Sequence, residues 1–263
     1  PETLSAMSNL AASYEKEERF DEALSLHAKV LAKRTEILGG DHPDTLVSEI
    51  NQVISKRNLG VDEDHAELLE EVLVQMMQVH PPNHPDILFA KINLALEYWN
   101  RDRANEAIQL EKEVVETSKE VLGANSDDTL GAMLNLAISH REGERFEEAI
   151  PILQEVLSKL PKVVQEDHPE LLQARNNLAI CKAQVGEAEE AVVMFEALLD
   201  AHQRVYGEGH EDTRMVMNNL IIAYRSAGRP IDAAKVRIDL QKIELGLEQK
   251  SAEEPGGSSA SEE

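Results

Sequence analysis

The chain has 263 residues, and its 26 Lys and Arg against 50 Asp and Glu leave a net charge of −24. That balance excludes a nucleic-acid binder and a protein held on an anionic membrane surface, both of which need a basic face. Aromatics at 3% are too few for a base-stacking platform. The single cysteine, Cys181, permits no internal disulfide, which fits a reducing, cytoplasmic compartment. No apolar run nears the roughly 20 residues that cross a bilayer. The opening PETLSAMSNL has neither the charged start nor the apolar centre of a signal peptide, and without an initiator Met it is expected to be a piece of a longer chain.

The string Pro1-Glu2-Thr3-Leu4 returns with a preceding residue as HPDT from His42, HPDI from His84, SDDT from Ser126, HPEL from His168 and HEDT from His210, one return every 42 residues. The chain divides into six units, 1–42, 43–84, 85–126, 127–168, 169–210 and 211–252, followed by a tail. Aligned, the units give columns numbered by position in the unit. Columns 4, 10, 11 and 14 are apolar at helical spacing and predict a first helix. Turn residues follow at Gly60, Gly143, Gly186 and Gly228. Columns 23, 26, 30, 34 and 37 predict a longer second helix. Gly39, Gly123 and Gly207 mark its end, and Pro43, Pro85 and Pro169 mark the start of the next unit. The Ala residues at columns 11 and 23 suit close helix pairing. One hairpin cannot bury its own apolar stripe, so the units must stack.

Two units depart from this pattern. In the second, Gln52, Lys56 and His65 replace Leu, Tyr and Ala, which predicts the poorest packing. In the fourth, Pro151 and Pro161 fall inside the second helix, where each removes a hydrogen bond. The last residues, about 253–263, read as a disordered acidic tail.

The stretch NLAASYEKEERFDEALSLHAKVLAKRTEILGGDHPDTL resembles the tetratricopeptide repeat in its 42-residue, kinesin-light-chain-like form. The Leu-Ala-x-x-Tyr and Glu-Ala pattern separates it from HEAT and armadillo units of similar length, and the likeness runs from residue 1 to about 250. It implies an all-α, right-handed superhelical solenoid of six helix-turn-helix repeats that binds proteins and catalyses nothing. Similar arrays form the C-terminal part of large nucleotide-binding sensor proteins, so a regulatory array of that NLR/STAND-like kind is the alternative to an adaptor.

Asn occupies column 9 in every unit: Asn9, Asn51, Asn93, Asn135, Asn177 and Asn219. A mediocre helix former kept mid-helix six times needs a reason. Either the side chains form a structural ladder between helices, or they line a groove and bond the backbone of an extended peptide. The resemblance favours the groove, because in that family the first helices line the inner face and Asn at this place contacts the bound peptide. Column 15 adds Arg57, Arg141 and Arg225, with Trp99 between them. The bodies of the six first helices sum to +5 and leave −29 for the rest of the chain. The expected ligand is therefore an acidic peptide with an apolar anchor that Trp99 covers.

No phosphate loop or nucleophile motif is present, and no cofactor is expected. Cys181 reads as a small packing residue. The histidines of column 42 read as helix-start residues. His80-Pro-Pro-Asn-His84 has metal-like spacing, but its prolines forbid a helical i, i+4 pair, so no metal site is expected. Nothing in the sequence specifies an oligomeric state.

Overall fold

In the computed structural model, residues 2–61, 63–160 and 167–253 are described, with side chains as far as residue 246. Among them are twelve α-helices and no strand. Two compact units divide the chain, residues 1–124 and 125–263. The first holds α1 (Glu2–Lys16), α2 (Phe20–Leu38), α3 (Pro43–Asn58), α4 (His65–Val79), α5 (Pro85–Asn100) and α6 (Ala104–Val121). The second holds α7 (Asp127–Glu142), α8 (Phe146–Lys159), α9 (Pro169–Gln184), α10 (Ala188–Tyr206), α11 (Glu211–Ser226) and α12 (Pro230–Glu253). Each repeat is thus a helical hairpin. Within each unit consecutive helices pack in order, and first helices also touch one another: α3 with α5, α7 with α9, α9 with α11.

The hairpin turn is the same in all six repeats. The column-19 amide bonds the column-14 carbonyl, as in Arg103 N to Tyr98 O at 2.8 Å and Arg229 N to Tyr224 O at 2.8 Å. The column-18 amide bonds the column-15 carbonyl, as in Gly60 N to Arg57 O at 2.9 Å. These paired bonds satisfy the last carbonyls of the first helix and require a left-handed residue at column 18. Gly60, Gly186 and Gly228 supply it with φ of 68°, 90° and 72°, but Glu18, Asp102 and Glu144 do so at 58°, 58° and 56°. Gly143, expected to make its turn, has φ −80° and leaves the left-handed position to Glu144. Arg19, Arg103 and Arg229 then lie over the rings of Tyr14, Tyr98 and Tyr224, and Lys182 pairs with Glu187 across the corresponding turn.

Helix starts are equally regular. Pro43, Pro85 and Pro169 occupy the first helical turn, where a missing N–H costs nothing. The Nδ1 atoms of His42, His84 and His210 accept from the amides of Asp44, Asp86 and Asp212. Ser126 does the same for Thr129.

The small residues of columns 11 and 23, among them Ala11, Ala23, Ala95, Ala107, Ala137, Ala149, Ala179 and Ala191, are almost fully buried. Around them the first unit packs Leu46, Ile50, Leu69, Met76 and Leu94, and the second packs Phe195, Leu198, Met217 and Leu220. Each such side chain contributes roughly 1.5–3 kcal/mol. The second repeat, expected to pack worst, buries a full set of apolar residues. His65 fills the Ala position with its Nε2 3.0 Å from Val61 O, and Lys56 pairs with Glu63. The sparser helix is α1, where only Ala11 is buried. Pro151 sits inside α8 on its exposed side without ending it, since water can take the freed carbonyl. Pro161 lies outside the described residues. So does the acidic tail from residue 254, and α12 runs to Glu253.

Two predictions follow from these contacts. Glu144→Gly relieves a left-handed glutamate and should stabilise the protein by up to about 1 kcal/mol in a urea titration. Burial also holds the pKa of His27 below its ordinary value, outweighing the opposite pull of Glu15, 3.8 Å away. The unfolded chain therefore binds a proton that the folded chain refuses. Stability is full above about pH 6.5 and falls as the pH drops towards the lowered folded value. Melting at pH 7.5 and 5.5 should show this loss, and His27→Leu should reduce it.

Candidate peptide-binding face

In α3, α5, α7, α9 and α11 columns 3, 6, 11 and 13 are buried, while columns 5 and 12 stay at least partly exposed along one open face. In the second unit this face encloses a cavity of about 620 Å³. Arg141, Asn177 and Asn219 line it, joined by Gln173, Asn176, Ile138, Ile180 and Met215 from the first helices and by His202 and Tyr206 from α10. Three of the residues expected in a groove thus meet around one cavity, and four carboxamides converge there.

The amides behave differently from one another. Asn177 is buried and its Nδ2 donates to Gln173 O, 2.8 Å away on its own helix. Asn93 does the same to Phe89 O at 2.9 Å. Back-bonding of this kind lets a short polar side chain stay mid-helix, and it spends one N–H of each amide within α9 or α5. Asn219 instead reaches the neighbouring helix, donating to Asn176 Oδ1 at 3.4 Å. Asn135 and Asn9 are exposed and Asn51 is half-buried. Asn9, Asn51, Asn93, Arg57 and Trp99 belong to the first unit and take no part in the cavity; Asn135 and Arg225 belong to the second and do not line it either.

Column 15 points along the array to column 13 of the next repeat. Arg57 donates to Glu97 Oε1 at 3.1 Å, with side-chain exposures of 18% and 3%, so its charge is already matched within the fold. Ser55 bonds Glu15 in the same relation one repeat earlier. In the second unit Arg141 stands near Cys181. Burial pushes that thiol up to about 11, which marks a packing residue rather than a nucleophile. Arg141 pairs through one terminal nitrogen with Glu142, while its buried Nε–H has no acceptor. Glu170 and Asp212 also line the cavity, and among the described residues Arg141 is the one Lys or Arg that lines it. Trp99 is half-buried with its Nε1–H unpartnered, and Arg225 is exposed.

A tetratricopeptide repeat model matches residues 3–44, and a second matches 86–162 and 167–236. The chain belongs to the tetratricopeptide repeat family. Such arrays are non-catalytic scaffolds for protein–protein interaction. No curated protein matches the sequence. Among solved structures, the nearly identical TPR-like repeats from Podosopora anserina designated a kinesin light chain align with a TM-score of 0.66 at 24% identity, over 78% of this chain and 97% of that one. BtubC (BKLC) from P. vanneervenii aligns at 0.69 and 17% identity, over 99% and 97%. The Rap protein complexed with competence and sporulation factor aligns at 0.57 and 11%, over 95% and 79%. These likenesses show the fold.

Column 12 of this TPR array is a further repeated feature, beside the Asn and Arg columns. It holds Ile54, Leu96, Ile138, Ile180 and Ile222, aliphatic in five repeats of six, yet Leu96 is 44% exposed and Ile222 55%. Ile54 and Ile180 pack at the margin of the core, so the column straddles core and solvent, and its open members Leu96 and Ile222 offer apolar surface to a ligand. Met215 at column 5, 50% exposed, extends the stripe beside the cavity.

The Arg57–Glu97 pair yields a prediction. Arg57→Ala leaves a nearly buried carboxylate without its partner and should cost about 3–5 kcal/mol in urea unfolding, while Arg225→Ala should cost under 1 kcal/mol.

Proposed function

We propose that this chain is a kinesin-light-chain-like adaptor in a reducing, cytoplasmic compartment, and that the first-helix face of its second unit holds an extended segment of a partner protein. The observation that carries the reading is the convergence of Gln173, Asn176, Asn177 and Asn219 with Ile138, Ile180 and Met215 around one cavity. Carboxamides can bond a peptide backbone whatever its sequence. The aliphatic residues accept one apolar anchor, and the guanidinium of Arg141 lines the same cavity. The preferred segment is acidic opposite Arg141 and carries a Leu-like side chain beside it. A like fold in the Rap protein is complexed with competence and sporulation factor, which supports a peptide as the class of ligand.

The partly exposed ion pair contributes about 0.2–1 kcal/mol, so affinity should fall with salt. Fluorescence polarisation with a library of labelled peptides tests this. Acidic peptides with an aliphatic anchor should bind better than basic ones of equal length. Asn177→Ala with Asn219→Ala should weaken the selected peptide about tenfold or more with little change in melting, because two neutral hydrogen bonds are lost. Selection of Lys-rich peptides, or unchanged binding in the double variant, sinks the reading.

A further inference from the structure

We propose that His80, His84 and Asp86, at the junction of α4 and α5 in the first unit, form a binding site for a divalent first-row metal ion of the zinc kind. The prolines that forbid a helical pair close the junction in another way. His80 ends α4 in an extended conformation, and His84 N bonds Pro81 O at 2.9 Å, which folds the Pro81-Pro82-Asn83 link into a tight turn. The two imidazoles are thereby brought face to face, 3.6 Å between centroids and 12° from parallel. His80 Nε2 lies 3.3 Å from Asp86 Oδ2, and His84 Nδ1 lies 3.5 Å from the same oxygen. One ligand atom from each residue falls within 4.8 Å of the others, the only such group of three among the described residues. Ligands about 2.0–2.1 Å from a tetrahedral zinc stand roughly 3.3 Å apart, so the carboxylate oxygen sits near the right distance from both rings.

Two imidazoles and one carboxylate suit zinc and its neighbours and leave a fourth position for water. The Nε2 of His80 is buried and, although 3.3 Å from Asp86 Oδ2, is not aligned for a hydrogen bond to it. A ring nitrogen left in that state loses free energy unless something occupies it. The same place in the fifth repeat shows what a merely structural version looks like. There Tyr206 stacks on His210 at 4.9 Å, and His210 Nδ1 lies 3.6 Å from Asp212 Oδ2. The ring stack and the His–Asp relation recur, and the second repeat differs in carrying a nitrogen ligand where the fifth carries a phenol. Coordination needs the stacked rings to tilt, because imidazole lone pairs lie in the ring plane. It also draws His84 Nδ1 away from the amide of Asp86, which it now caps at 3.2 Å. A bound ion would fasten the end of α4 to the start of α5 and raise the melting temperature by mass action.

The test is titration of zinc alone into the full chain by calorimetry in 0.15 M salt, with thermal melts alongside. The full chain should bind one Zn²⁺ and melt higher in its presence. His80→Phe keeps a ring in the stack and removes a ligand. Asp86→Asn keeps the backbone amide that His84 caps and weakens the third ligand. Both variants, checked for unchanged helical signal and metal-free melting, should bind zinc at least about tenfold more weakly and lose the thermal shift. If the full chain takes up no stoichiometric zinc, or if either variant binds as it does, the proposal is wrong.

Discussion

The close approach of paired helices at the Ala columns governs the rest of this structure. Ala11 against Ala23, and their counterparts at 95 and 107, 137 and 149, and 179 and 191, let two backbones meet with almost no solvent between them. In these four repeats a larger residue would have to push a helix outward, whereas the second and sixth repeats bury Val53 with His65 and Ile221 with Ala233 at the same columns. Once the seam is set, the helical period decides which columns of a first helix turn inward and which remain along the open side. The cavity of the second unit is what remains when the inward columns are used up.

The turn completes this constraint. A left-handed residue at column 18, with its pair of reverse hydrogen bonds, turns the chain back within three residues in five of the six repeats and sets the angle at which the second helix returns. Half the repeats use glycine there and half accept the strain of Glu or Asp, with Arg stacked on Tyr across two of those turns. The geometry is thus kept by the backbone bonds, and the residue at column 18 adjusts only its cost. The same economy appears at the helix starts, where His or Ser caps and a following Pro serve equally.

Charge is arranged around these contacts in two ways. Most carboxylates sit on exposed second helices and links, where pairs such as Lys33 with Glu36 are worth little. A few are drawn inside. Glu97 is matched by Arg57, while Glu70, still partly exposed, accepts from Tyr98, whose hydroxyl burial and that bond push up to about 12. The cationic first-helix residues therefore divide between holding repeats together and facing the open side. Arg57 does the former. Arg141 lines the cavity.

The sequence alone determined the repeat, its all-helical hairpins and the family, because a 42-residue period repeats the main packing columns and so writes them six times. It also pointed to Arg141, Asn177 and Asn219, which meet at one cavity. Other features needed the tertiary structure, because they depend on which neighbour a side chain reaches. Arg57 and Arg141 share a column, yet one meets Glu97 at the facing position and the other meets Cys181. Asn93 and Asn177 turn their amides back on their own helices, while Asn219 finds Asn176 across the interface. The exposed aliphatics of column 12 look like core in a string of letters, since only solvent exposure separates a buried stripe from an open one. His80 and His84 looked incompatible as a pair while only helical spacing was considered. A turn of two prolines stacked them, because ring contact depends on the path of the backbone and not on the count of residues between.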